Sequence, residues 1–247
     1  MRSARFCIYA FGLLALPIAL AACDMGPGHD KVLGSVDVPA GSSVADANTV
    51  NGDVNVEANA KTGDAHTVNG SISVGGGGQV ANAKTVNGNI TLGEHAVATK
   101  ATTVNGSVTL ERGATVSGDA NTVNGDLALA AGSTVKGSLT NVNGHITVDS
   151  GHVGDGIATA DGDIDITGDA EIDGGIKVQR SNGNAFFGIH FSGTKVPRIV
   201  VGPGATVNGP LTFERSVRLY ISTQARVAGP ITGAAAVKFS GATPPAP

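Results

Sequence analysis

The tetrapeptide Thr-Val-Asn-Gly recurs at 49–52, 67–70, 85–88, 103–106 and 122–125, and no other feature restricts the fold as much. Degenerate copies continue the series as Asn-Val-Asn-Gly at 141–144 and Thr-Ala-Asp-Gly at 159–162, with Leu33-Gly34 opening it. The glycines stand at 34, 52, 70, 88, 106, 125, 144 and 162, always 18 or 19 residues apart. A fixed period of this size marks one structural unit per repeat, stacked on its neighbours.

Aligning the repeats on these glycines produces apolar columns. Two residues after the glycine stand Val36, Val54, Ile72, Ile90, Val108, Leu127, Ile146 and Ile164, and four after it Val38, Val56, Val74, Leu92, Leu110, Leu129, Val148 and Ile166. Two before it stand Val50, Val68, Val86, Val104, Val123, Val142 and Ala160. A looser column near ten after it holds Val44, Val80, Val97, Val116, Val135, Val153 and Ile172. The alternation has a period of two, which predicts strand. At ~3.3 Å per residue, 18 residues are too long for one side of a compact body, so each repeat folds into about three short sides. The expected fold is all-β, a single-stranded parallel β-helix (solenoid) with about three short strands per 18–20-residue coil. The same alternation predicts an outward face made of the rows Thr49, Thr67, Thr85, Thr103, Thr122 and Asn51, Asn69, Asn87, Asn105, Asn124. Stacked Asn amides bond along such a ladder. Residues 24–185 contain no Phe, Tyr or Trp, which implies a slim interior of Val, Ile, Leu and Ala.

Beyond residue 180 the pattern changes. Arg198–Val217 aligns with Arg218–Val237 at a period of 20, pairing Val201 with Ile221, Val207 with Val227, Leu211 with Ile231 and Val217 with Val237. All mature aromatics (Phe186, Phe187, Phe191, Phe213, Tyr220 and Phe239) fall in this part. The expected organisation is a leader over 1–22, a tether over 23–32, 18–19-residue coils over 33–178, a transition segment over 179–197, wider coils over 198–241 and a Pro-rich tail over 242–247. Pro210, Pro230 and the tail are expected to protect an open sheet edge.

The leader has Arg2 and Arg5, an apolar stretch over 6–22, and the ending Leu20-Ala21-Ala22-Cys23, the pattern of an export signal. Cys7 lies inside it and Cys23 at its end, so the mature chain keeps one thiol and no intrachain disulfide forms. The ending resembles the lipobox of bacterial lipoproteins. That resemblance implies cleavage before Cys23, acylation (diacylglycerol, palmitate) of its thiol and a membrane as partner through the lipid, in the bacterial cell envelope. Asp24 resembles the inner-membrane retention signal of enterobacterial lipoproteins. Without the leader, 14 basic residues face 20 acidic ones, which excludes a nucleic-acid partner built on basic charge.

Two further resemblances lie in the repeats. Thr49-Val50-Asn51-Gly52-Asp53-Val54 and Thr122-Val123-Asn124-Gly125-Asp126-Leu127 resemble the T-V-x-G-D-I repeats of putative-adhesin envelope proteins. Gly113-Ala114-Thr115-Val116-Ser117-Gly118 and Gly204-Ala205-Thr206-Val207-Asn208-Gly209 resemble the repeats of bactofilins, polymer-forming β-helical proteins. Together they cover about residues 33–240 and imply architecture and no catalytic residues.

No nucleophile elbow, zincin helix or complete phosphate-binding loop is present. His29, His66, His95, His145, His152 and His190 fit no motif of the left-handed β-helix acyltransferases, the third and least favoured reading. The densest acidic run, containing Asp161, Asp163 and Asp165, is a Ca²⁺ candidate because hard cations need several carboxylate oxygens. The outward alternation of Asp163 and Asp165 with Ile164 and Ile166 favours a solvated face instead. The sequence therefore predicts no cofactor, no enzyme activity, and a lipid-anchored structural or adhesin-like module. Its expected partners are envelope glycan, protein or further copies of itself.

Overall fold

The structure, a computed structural model, describes residues 29–180 and 195–245. It is a parallel β-solenoid, with no helix among the described residues. One face is an eleven-stranded ladder in chain order, from Val36–Val38 through Val54–Val56, Ile72–Val74, Ile90–Leu92, Val108–Leu110 and Leu127–Leu129 to Arg218–Ser222 and Ala236–Phe239. Its register stacks Val36, Val54, Ile72, Ile90, Val108, Leu127, Ile146 and Ile164 in one column, as the glycine alignment predicts. At ~4.8 Å per coil, eleven rungs make a body roughly 48 Å long.

The other two faces form one continuous sheet of 18 strands. In the coils at Lys61–His66, Gln79–Lys84 and Val97–Thr102 they merge into a single six-residue strand. From Thr115 onward they separate, because Ala98 pairs with Val116 while Ala101 pairs with Ala120. The extra residue of the 19-residue repeat therefore enters at the corner between these faces.

On these two faces the interior departs from the expected columns in two ways. Val97 is 38 % exposed, and the inward residue of that coil is the fully buried Ala98, which stacks on Val80. A third interior column, Ala47, Ala65, Ala83, Ala101 and Ala120, was not expected at all and is buried throughout. Leu139, Ile157, Ile176 and Leu211 continue it. The interior is thus narrow over the first coils and wider after them.

Ile164 pairs directly with Ile199, so one coil takes 35 residues. The extra length lies between Arg180 and Lys195, where the expected transition segment (179–197) falls mostly outside the described residues. The 20-residue period then holds, with Arg198 on Arg218, Val207 on Val227 and Leu211 on Ile231. The last turn is shorter: Ala236 stacks on Leu219 and Val237 on Tyr220, not on Val217. Pro210 and Pro230 do not guard the final edge. The carbonyl of Pro210 accepts from Ile176 N–H and that of Pro230 from Leu211 N–H, so both face into the ladder.

Candidate functional site

The repeated corner is where the sequence concentrates its signal. Thr49, Thr67, Thr85, Thr103 and Thr122 do not point outward as expected: they are 0–5 % exposed. Each hydroxyl donates to the glycine carbonyl of the preceding coil, Thr67 to Gly52 and Thr85 to Gly70 at 2.8 Å. The strand alternation stops at the bend, so Thr turns inward while Val50 is 36 % exposed and Val68, Val86 and Val104 are half-buried; of that expected column Val123 and Val142 are buried. The same carbonyls explain the glycines. A Cβ on Gly70 would lie 1.9 Å from Gly52 O, and one on Gly88 1.9 Å from Gly70 O. Thr and Gly are therefore one device: the hydroxyl satisfies a carbonyl that only glycine lets the next coil approach.

The Asn row does face outward. Asn69 Nδ2 donates to Asn51 Oδ1, Asn87 to Asn69 and Asn105 to Asn87, each at 2.9 Å. Asn124 and Asn143 continue the ladder at 3.0 and 3.1 Å. Each carboxamide has two N–H donors and two acceptor lone pairs, so one of each is left over on every inner rung. The result is a regular line of donors and acceptors, repeating every ~4.8 Å.

Sequence reasoning missed a third row. From Gly34 to Gly125, the residue after the glycine accepts the backbone N–H of its counterpart one coil on. Asp53 Oδ1 accepts from Ser71 at 2.7 Å, Asn89 Oδ1 from Ser107 at 2.9 Å and Asp126 Oδ1 from His145 at 2.7 Å. Its signal was available: Ser35, Asp53, Ser71, Asn89, Ser107 and Asp126 all carry a side-chain oxygen.

Asn141 interrupts the Thr column. It is 1 % exposed, and neither end of its carboxamide has a hydrogen-bond partner. It lines a small cavity of about 10 Å³ with Thr140, Val142, Ala158, Thr159, Ala160 and Gln179.

The acidic run does not converge on a cation. Asp161 is 7 % exposed and pairs with Arg215 Nη1, a guanidinium that also donates to the Ala160 and Lys195 carbonyls. Asp163 binds Lys195 Nζ at 2.6 Å, and Asp165 binds Arg198 Nη1 at 3.1 Å. The carboxylates of the Ca²⁺ candidate are thus each held by a different protein cation, while Ile164 and Ile166 point inward between them as expected. Burial pushes the Asp163 carboxyl up, but the Arg198 amide and Lys195 outweigh it and hold it below the usual carboxylate range. His145 Nε2 lies 3.1 Å from Asp165 Oδ2, at ion-pair distance but out of line for a conventional hydrogen bond. Contact with Asp165 raises the imidazole pKa against the opposing effect of burial. Among the described residues no group of three or more His, Cys, Asp or Glu is placed to hold a metal.

Cys23, Asp24 and His190 lie outside the described residues. Among the described residues no helix is long and apolar enough to cross a membrane. Comparison of the chain with protein-family models, curated proteins and solved structures finds no match.

Proposed function

We propose that this chain is a non-enzymatic envelope protein, anchored through acylated Cys23, in which the solenoid is a rigid spacer and the Asn row its adhesin-like binding face. The observation that carries the reading is the Asn ladder itself. Five consecutive side-chain hydrogen bonds hold the carboxamides in register from Asn51 to Asn143, and the residues from Asn51 to Asn124 are exposed. A fixed line of amides with unspent donors and acceptors suits a polymer whose hydroxyls also repeat, such as an envelope glycan. The Thr residues are no part of that face, because their hydroxyls are spent inside the corner.

The test is co-sedimentation with purified cell-wall glycan. Wild-type protein is expected to pellet with the glycan, and Asn87→Lys with Asn105→Lys to release it while leaving the β circular dichroism unchanged. Equal pelleting of wild type and variant removes the Asn row from the function.

A second reading is an end-to-end scaffold, as the bactofilin resemblance implies. It is favoured by the last rung. Ala236–Phe239 and Ile231–Thr232 end their faces, and Val237 and Ile231 in them are 50 % and 37 % exposed. Sedimentation velocity at rising concentration separates the readings: a scaffold grows into long species, and a spacer stays monomeric.

A further inference from the structure

The ladder that holds the Asn side chains also bears on their chemical lifetime. Each Asn of the row is followed by glycine, at 51–52, 69–70, 87–88, 105–106, 124–125 and 143–144. Asn-Gly is the dipeptide most open to self-modification, because no Cβ shields the glycine amide. The glycine nitrogen loses its proton and attacks the Asn Cγ, the Cγ–Nδ2 bond breaks and ammonia leaves. Water then opens the cyclic imide to aspartate or isoaspartate. Both the nucleophile and the electrophile must be free to move.

On the first five rungs neither is free. The N–H groups of Gly52, Gly70, Gly88, Gly106 and Gly125 donate to the Asn carbonyl of the next coil at 3.0–3.1 Å. The Oδ1 atoms of Asn51, Asn69, Asn87, Asn105 and Asn124 each accept from the next Asn. The ladder stops at Asn143, because the next coil carries Asp161, a carboxylate with no N–H to donate, which pairs with Arg215. Among the described residues, Asn143 Oδ1 receives no donor and Gly144 N–H no acceptor. The only tie on that carboxamide is the 3.1 Å bond from its Nδ2 to Asn124.

We infer that, among the Asn-Gly pairs of the described residues, Asn143 is the one that deamidates in the folded protein, and that the ladder protects the five pairs before it. Conversion to isoaspartate adds a backbone carbon at this corner and breaks the register between the narrow and the wide halves of the solenoid. Asn208-Gly209 is also exposed, but its carboxamide is fixed by Glu171 and Asp173 at 3.1 and 3.0 Å. Those two carboxylates also oppose ionisation of the neighbouring amide. Asn182-Gly183 lies outside the described residues.

The experiment is peptide mass spectrometry on the full chain after incubation at mildly alkaline pH, folded and, in parallel, in denaturant. One hydrogen bond more than at Asn143 must break at Asn51, and two more at Asn69, Asn87, Asn105 and Asn124, so folded Asn143 is expected to deamidate at least about tenfold faster than any of them, and faster than Asn208. In denaturant the six ladder positions are expected to react alike. Equal rates in the folded protein, Asn208 reacting ahead of Asn143, or a lead of Asn143 that persists in denaturant would overturn the inference.

Discussion

The Thr hydroxyl at each corner decides more than its size suggests. Thr85 is 1 % exposed and its hydroxyl satisfies Gly70 O at 2.8 Å. Thr85→Val keeps the shape and removes the donor, leaving a buried carbonyl unpaired. A loss of about 1–3 kcal/mol in urea unfolding is expected. Asn141 is the opposite case, a residue that breaks the device. Asn141→Thr removes two orphaned buried groups and brings a hydroxyl to the carbonyl side of the corner, with an expected gain of about 1 kcal/mol. The sequence made the Asn ladder legible but misplaced the Thr row. Period-two reasoning holds only within a strand, and Thr-Val-Asn-Gly is a bend. Thr, able to donate to the glycine carbonyl, takes the inside place that its apolar neighbour of the same shape was expected to fill, as Thr49 does beside Val50.

At the scale of the coil, the glycines set the closest approach. Gly88→Ala would place a methyl 1.9 Å from Gly70 O, so its coil must shift or open. A loss of about 3–4 kcal/mol is expected from the same unfolding experiment. The two columns after the glycine were legible because Val, Ile and Leu fill them in every coil. The Ala47–Ala120 column was not, because alanine also occurs at corners and carries little apolar signal. Val97 was misassigned for a related reason: Ala98 fills the inward site and leaves the larger residue outside.

His145 gives the middle coils a pH dependence with a definite sign. Its folded pKa lies above 6.5, so its contribution is complete below that pH and disappears as the pH rises through the folded value. The stability advantage of wild type over His145→Gln should therefore shrink from pH 6.5 upward. Asp163 works the other way. Its folded pKa is depressed, so its contribution is present above 3.8 and lost on acidification below that. Urea midpoints across the two ranges check both signs.

The whole molecule is a stiff body roughly 48 Å long in which main chain, Thr hydroxyls, Asn amides and the row after glycine all bond from coil to coil. The solenoid was legible from the repeat because a parallel stack forces identical positions to superpose. The course of the chain between Arg180 and Lys195 was not, since that segment shares no column with the repeats. On the function proposed above, this body stands on a membrane through Cys23. Fractionation of cells expressing wild type and Cys23→Ser tests it most directly. Wild type is expected in the membrane pellet, extractable only with detergent, and Cys23→Ser in the soluble fraction or unprocessed at its leader. Recovery of wild type in the soluble fraction, or of a processed Cys23→Ser chain still in the pellet, would contradict it.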